Sequence, residues 1–329
     1  MSFAWHLPTA LIVLTLVADV LIGDPAWIPH PVRLIGLMIE FGEKRLWSGN
    51  SRRDLCGGAA VAAAVVLAAV AAVSIVIAAG SLLAPAFAAG LGVIAAWTTI
   101  ALRGLDAAAT SVQSALARED LCAARAAMPA LVGRDPRSLD REGIIRATVE
   151  SVAENSSDGV IAPLFYLFVG GPAAAMAYKA INTLDSMIGH REPPFTYFGR
   201  FVARLDDLAN FLPARIAAAS IALAAPLAGE HGPAWRVWRE EGSHHASPNA
   251  GQVEAAMAGA LDVRLGGTNY YDGNPVQGHV FNACGAVADR KRARAAIRVV
   301  VIASGLVFAA TFSACLWNDL RKKEKQQDA

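Results

Sequence analysis

Between Gly57 and Leu102 the chain runs for 46 residues without one Asp, Glu, Lys or Arg. A crossing of the hydrocarbon core takes about 20 apolar residues, so this run accommodates two, with a turn predicted at Ser81 to Pro85. Lipid offers backbone groups no partners, which restricts each crossing to helix or closed barrel. Two helices buried in a soluble core are the competing reading. The chain is 55% hydrophobic and 17% charged, where a soluble domain carries about a quarter charged residues. Mean hydropathy is +0.40. The excess of apolar surface calls for a lipid environment.

Six apolar segments can be drawn: 7–23, 57–80, 81–102, 159–178, 208–228 and 299–317. The first contains Asp19 and reads as a short span or an interfacial helix. The fourth is broken by Gly170, Gly171 and Pro172, which suits a re-entrant hairpin as well as a kinked span. The fifth contains Arg215. Between them lie 24–56, 103–158, 179–207 and 229–298, with 5, 7, 4 and 8 Lys/Arg. The positive-inside rule sends all four to the cytoplasm. That arrangement requires 159–178 and 208–228 not to cross, and leaves the basic tail Arg321–Lys325 outside. Ala107–Leu131 has helical period, Ser138 or Asp140 can start the next helix, and 266–275 is turn chemistry, expected as a loop. The expected fold is therefore all-α: one polytopic integral membrane domain, residues 1–329, with long helical cytoplasmic connections.

A net charge of +1 gives no reason to expect nucleic acid as a partner. Cys56, Cys122, Cys284 and Cys315 are widely spaced, suggesting neither a zinc site nor a disulfide framework. Leu7–Gly23 has no basic n-region and no small-residue cleavage site, so no secretory signal is expected. The motifs GxxxxGK[ST], GxGxxG opening a helix, HExxH and GxSxG are absent, so nucleotide use would need a different kind of site.

Glu150, Glu154 and Asp158 recur every four residues and would share one helix face. Like charges so placed repel. Hard oxygen ligands at the mouth of an apolar segment suit Mg²⁺, often bridged to phosphate; a solvated acidic face with Arg146 as partner is the plainer reading. Lys179, Asn182, Asp185 and Ser186 follow on the far side of 159–178. Lys179 suits a phosphate and Asp185 a metal or an amine, unless the two are simply surface neighbours. If 159–178 doubles back, the two faces approach one another. His30-Pro31-Val32-Arg33 is weak alone, and Arg204, Asp206 and Asp207 read as interfacial anchors or ligands. Ser247-Pro248-Asn249 reads as a helix start, which is either a cap alone or an anion site. Gln252, Glu254, Arg264, Asn269 and Tyr270 follow it. His244-His245 is too isolated to suggest a metal.

Four runs, in this order, resemble the CobD/CbiB family of cobalamin biosynthesis, the cobinamide-phosphate synthases. They are Asp19-Val-Leu-Ile-Gly-Asp-Pro with His30-Pro-Val-Arg33; Glu150 to Phe165, with its Glu-Asn-Ser-Ser-Asp-Gly core; Lys179-Ala-Ile-Asn-Thr-Leu-Asp-Ser-Met187; and Ser247-Pro-Asn-Ala-Gly251 continuing through Arg264 to Asn269-Tyr-Tyr271. The resemblance implies an ATP- and Mg²⁺-dependent ligase that joins the propionate of adenosylcobyric acid to aminopropanol phosphate through an amide. The expected location is the cell (inner) membrane, with the active site on the cytoplasmic side where the positive-inside rule sends the connections. The protein is expected there either as a homo-oligomer or with other membrane enzymes of the pathway. On that reading Glu150, Glu154 and Asp158 hold Mg²⁺, and Asp185, Lys179 and Glu154 form the catalytic set. The substrate-binding set is His30, Arg33, Lys179, Asn182, Ser186, Ser247, Asn249, Gln252, Arg264 and Asn269. The family's AmpE-like relatives offer the alternative of a membrane sensor without catalysis. A transporter is the third class, motivated by Asp19 and the broken segment.

Overall fold

The computed structural model describes residues 9–24, 30–131, 139–189, 196–271 and 274–327. In chain order these form α1 (Thr9–Ile22), α2 (Pro31–Leu46), α3 (Ser51–Leu83), α4 (Pro85–Trp97), α5 (Leu102–Ala117), α6 (Leu121–Ala127) and a 3₁₀ turn. Then come α7 (Arg141–Ser156), a π turn (Ser157–Ile161), α8 (Ala162–Ile188), α9 (Arg200–Ala209), α10 (Phe211–Leu227) and α11 (Ala234–Glu241). The chain finishes with α12 (Ala250–Leu261), β1 (Leu265–Tyr271), β2 (Asn274–Phe281) and α13 (Arg290–Gln327). Two compact units result. One comprises Met1–Ala101, Ala162–Ala209 and Ala309–Ala329; the other comprises Leu102–Ile161 and Asn210–Phe308.

The fold is all-α and polytopic. Four stretches are long and apolar enough to cross a membrane: Ser51–Leu83, Pro85–Ala117, Arg141–Ile188 and Arg290–Arg321. A fifth arises if α9 and α10 form one broken span. Leu82 and Leu83 are 87% and 76% exposed, and burial of such a side chain is worth about 1.5–3 kcal/mol, so this surface belongs against lipid. At about 1.5 Å per residue, the 14 residues of α1 fall short of the hydrocarbon core, which is about 30 Å thick.

In the first unit, the turn between α3 and α4 falls where the sequence placed it. Ala84 is extended and Pro85 opens α4, where a missing N–H costs nothing. The start of α3 is held by Asn50, which caps Arg53 N–H, and by the buried Asp54, which accepts from Ser48 N at 2.8 Å and Oγ at 2.9 Å. Gly58 lets α3 meet the backbone of Phe198, because any Cβ there would collide with the Phe198 carbonyl oxygen. Ile39, Val61, Val65, Leu184, Phe198 and Val202 form the core of this packing.

The Gly-Gly-Pro break is a reversal. Gly170 and Gly171 leave helical geometry, Gly171 at φ 72° and ψ −167°, a region essentially reserved for glycine. Tyr166 and Tyr178 would stand about 18 Å apart along a straight helix, yet their rings stack with centroids 5.1 Å apart and planes 13° from parallel. The two arms of α8 therefore run back along each other, and the tyrosines pack with Ala162 and Ala209. Tyr166 also donates its hydroxyl to the Ala209 carbonyl at 2.9 Å.

In the second unit α12 is the centre: all twelve of its residues are buried, with α10, α11 and α7 packed around it. Asp140 rather than Ser138 caps α7, accepting from Gly143 N at 2.7 Å; Ser138 lies outside the described residues. Helical period over 107–131 gives two helices, because Glu119 takes a left-handed φ of 59° and Asp120 starts α6 by accepting from Ala123 N. Arg215 folds back on its own helix, with its guanidinium over the Phe211 ring and Nη1 donating to the Phe211 carbonyl at 2.6 Å. Glu230, buried beyond α10, accepts from Arg292 Nη1 at 2.8 Å and lies 3.5 Å from Arg298 Nη2, both in the first turns of α13.

The expectation of a loop over 266–275 is overturned. β1 and β2 pair antiparallel, Leu265 opposite Phe281 and Thr268 opposite Gln277, with a register shift between Gly266 and Thr268. Turn-forming glycine, asparagine and proline dominate the local composition and mask the β-branched and aromatic residues that flank them. What sustains the hairpin lies outside the segment, on α7.

Candidate functional site

The carboxylate series on α7 divides into different environments. Glu150 is buried; its Oε1 accepts from Gly266 N at 2.7 Å and lies 3.7 Å from Arg146 Nε. Arg146, one turn earlier, donates through Nη1 to the Gly266 carbonyl at 2.8 Å and through Nη2 to the Thr268 carbonyl at 3.0 Å. Together the two side chains satisfy three backbone groups of β1, where the bulge takes Gly266 and Gly267 out of strand geometry. For Glu150, the pairing with Arg146 is the reading the structure bears. Its carboxylate is committed to the hairpin.

Beyond it, Glu154 is exposed and Asp158 half-buried. Asp158 lies in the π turn, where one carbonyl–amide register of the α-helix is skipped, a device frequent at functional sites. The neighbouring side chains turn inward: Ser156 Oγ donates to the Ala153 carbonyl at 2.6 Å and Asn155 Nδ2 to the Ser151 carbonyl at 2.9 Å. Ser157 Oγ is buried with no hydrogen-bond partner among the described residues. Among the described residues no three His, Cys, Asp or Glu side chains are grouped to hold a metal ion. Two carboxylates with hard oxygen donors are nevertheless what Mg²⁺ commonly takes from a protein, water and phosphate supplying the remainder. The donor chemistry of Glu154 and Asp158 suits that demand, while Oε1 of Glu150 is already taken by Gly266 N–H.

In the first unit, the second arm of α8 carries Lys179, Asn182 and Asp185, all half-buried, and the exposed Ser186. The Ser186 hydroxyl turns back to donate to the Thr183 carbonyl at 2.9 Å. Asp185 carboxylate lies against Gly189, filling the space a Cβ would need there. His30 joins this arm, although 149 residues of sequence separate it from Lys179. It caps α2, with Nδ1 accepting from Val32 N at 3.2 Å and Nε2 facing Asp24 Oδ1 at 3.6 Å. Burial lowers its pKa from the ordinary value; Asp24 opposes that shift, while Lys179 and Arg33 add to it. A neutral ring whose Nδ1 accepts must carry its proton on Nε2; a backbone hydrogen bond with Thr98 also acts on the ring, and Asp24 at 3.6 Å is an electrostatic neighbour. Two motifs that are weak apart thus share one electrostatic environment.

Ser247 and Gln252 are occupied locally. Ser247 Oγ accepts from Asn249 N at 3.3 Å and Ala250 N at 3.2 Å, but α12 begins at Ala250 with Asn249 in the N-cap position, so Ser247 closes the turn before the helix rather than serving as its N-cap. Gln252 Nε2 donates to the Gly242 carbonyl at 2.9 Å, and its Oε1 accepts from Trp238 Nε1 at 2.9 Å. Asn249 is buried at the same helix start. The first amides of α12 are therefore already satisfied in part from within. Arg264 faces Glu142 at 3.7 Å, both half-exposed, on the rim of a cleft of about 260 Å³ bounded by Arg146, Gly266, Gly267 and Val280. Asn269 lies in β1; its side chain is outside the described residues. Sequence spacing gives no sign of the latch on the facing strand, at the same open end of the hairpin, where Glu241 accepts from Asn282 N at 2.9 Å and meets His279 Nε2 at 3.2 Å. His244 stands edge-on to His279. No local spacing announces that contact, since Glu241 and His279 are 38 residues apart.

Four stretches long and apolar enough to cross a membrane, one of them reversing at Gly170–Gly171, define a polytopic membrane protein. The family described as CobD/Cbib protein matches residues 12–300, and the chain belongs to it. A Geobacter metallireducens protein named cobalamin biosynthesis protein CobD is 45% identical over 268 residues, covering 81% of this chain and 84% of its own. The Desulfotalea psychrophila protein of that name is 38% identical over 313 residues, 90% of this chain and 94% of its own. Cobalamin biosynthesis protein CbiB of Salmonella typhimurium is 42% identical over 266 residues, 79% and 82% of the two chains. No solved structure matches.

Proposed function

We propose that this chain serves cobalamin biosynthesis as a membrane-bound ligase that forms the amide between adenosylcobyric acid and aminopropanol phosphate, giving adenosylcobinamide phosphate. The observation that carries the reading is the family match over residues 12–300, within which fall all four runs quoted above. An amide does not form spontaneously from a carboxylate and an ammonium ion, so ATP is the expected second substrate. A carboxylate oxygen attacks the γ-phosphorus and the bond to ADP breaks, leaving an acyl phosphate. The amine nitrogen then attacks the acyl carbon, phosphate departs, and the ammonium proton passes to a base.

The residues divide this work by chemistry. Glu154 and Asp158 would hold Mg²⁺, whose part is to neutralise phosphate charge, the dominant need in phosphoryl transfer. Lys179, a point charge in a half-buried position, is assigned to phosphate, with Asn182 orienting it. Asp185 is assigned to the ammonium proton as general base. His30, whose pKa burial lowers, caps α2 beside Lys179 and Asp24 and adds no charge of its own when neutral. The cytoplasmic side is the expected location, where ATP is supplied.

The test supplies purified protein with adenosylcobyric acid, aminopropanol phosphate, ATP and Mg²⁺, and resolves corrinoid products by mass. Adenosylcobinamide phosphate with stoichiometric ADP is the expected result. Substrates recovered unchanged, from protein that is monodisperse and folded, would overturn the assignment.

A further inference from the structure

The outward face of α13 changes character within one turn. Lys291, Arg294, Arg298, Val301 and Gly305 are all exposed and recur every three or four residues, so they share one face of the helix. Val301 is 45% exposed, and a Cβ added at Gly305 would meet open space. From Val299 onward the helix belongs to a stretch apolar enough to span. That part of the face therefore meets hydrocarbon, and three cations adjoin it directly.

Glu230 fixes the level of the boundary. It follows α10, whose last residue, Leu227, is 66% exposed, and it holds Arg292 at 2.8 Å and Arg298 at 3.5 Å. The apolar parts of α10 and α13 thus stop at the same height. Arg294 and Lys291 stand about 6 Å and about 10.5 Å beyond Arg298 along the axis, and the headgroup layer is about 5–7 Å thick on each side of the core. Arg294 falls within that layer, and the long stem of Lys291 reaches back to it. The nearby carboxylates are engaged elsewhere: Glu230 takes Arg292, and Asp289 accepts from Arg292 N at 2.8 Å. Among the described residues neither Lys291 nor Arg294 is paired with a carboxylate. The orientation of a span depends on how many basic residues flank it, not on the face they take, so their shared outward face calls for a separate explanation.

We propose that Lys291, Arg294 and Arg298 form a site for an anionic phospholipid, with the headgroup phosphate among the three cations and the acyl chains along Val301 and Gly305. Such a lipid carries its charge and its apolar length in the order in which this face presents cations and hydrocarbon. A zwitterionic headgroup brings a positive charge of its own to the cations and is held less strongly. The site lies apart from the residues assigned to the ligase reaction, and the inference does not depend on that reaction.

Native mass spectrometry of the full chain, delipidated in mild detergent and titrated with phosphatidylglycerol or phosphatidylcholine, tests this. The wild-type protein should prefer phosphatidylglycerol by at least about tenfold. Lys291→Gln and Arg294→Gln should each lower that preference by about fivefold, while Lys291→Arg and Arg294→Lys, which keep the charge, should retain it. The wild-type preference should also weaken as ammonium acetate rises from about 0.1 M to about 1 M, because screening shortens the reach of the cations; this readout needs no variant. Equal binding of the two lipids by the wild type, a preference indifferent to salt, or Gln variants that keep the full preference would overturn the proposal. So would release of the lipid by inorganic phosphate alone, which would make the cations a site for free phosphate.

Discussion

Replacing Glu150 separates two roles that the sequence alone leaves open. Its buried carboxylate accepts from Gly266 N at 2.7 Å and faces Arg146. Glu150→Ala strands an amide and removes the counter-charge of a guanidinium. Breaking a buried pair from one side costs about 3–5 kcal/mol. Arg146 keeps its bonds to the Gly266 and Thr268 carbonyls and its side chain is 25% exposed, so the lower end, about 3 kcal/mol, is expected. At about 2–4 °C per kcal/mol for a chain of moderate size, the melting temperature should fall by about 6–12 °C. Glu150→Gln retains an acceptor for Gly266 N–H and gives up only the charge, so about 1 kcal/mol is expected. Melting in detergent, with hydrogen exchange read over Leu265–Phe281, distinguishes the roles. The hairpin amides should exchange faster in Glu150→Ala, and the Mg²⁺ dependence of Glu150→Gln should match that of the wild type. An unaltered melt and unaltered exchange, combined with a raised Mg²⁺ requirement in Glu150→Gln, would refute the clamp and restore Glu150 to the metal.

Asp158→Asn should behave in the opposite way, raising the Mg²⁺ concentration for half-maximal product formation by about tenfold or more with little change in the melt. Gly171→Ala forces a Cβ into a glycine-only conformation and should cost about 1–3 kcal/mol, seen as a lower melting temperature and loss of the Tyr166–Tyr178 contact in cysteine cross-linking. His30 has a folded pKa below its ordinary value, so the unfolded chain binds the extra proton first. Stability should be constant above the unfolded pKa of about 6.5 and fall as pH drops from there toward the folded pKa. His30→Asn, which preserves a cap acceptor for Val32 N–H, should flatten that part of the melting profile measured from pH 7.5 to 5.

What could be read directly from the sequence was governed by one-dimensional physics. Charge-free length marks the spans, Ser81 to Pro85 marks the turn between two of them, and Gly170-Gly171-Pro172 marks a break, because each signal is carried by the residues that do the work. The β-hairpin was missed because its stabilising partners, Arg146 and Glu150, are more than a hundred residues upstream. The same distance hid the function of Glu150, whose four-residue spacing to Glu154 reads identically for a ligand and for a clamp. The helix start near Ser247 is legible in sequence, though the N-cap falls two residues later at Asn249, and the occupation of Gln252 by Trp238 and Gly242 is not legible, since it depends on how α11 meets α12. The π turn at Asp158 leaves no compositional trace. His30 gained meaning only when packing brought it under the influence of Lys179.

Arg292 and Arg298 flank the final apolar helix, and basic residues in that position also tell the insertion machinery which way a segment should face. In the finished protein both are engaged with Glu230. One set of side chains is therefore read twice, first during biogenesis and later in the assembled unit. Charge-reversal mapping of orientation at this helix would mistake collapse for inversion, unless Glu230 is exchanged in the same variant.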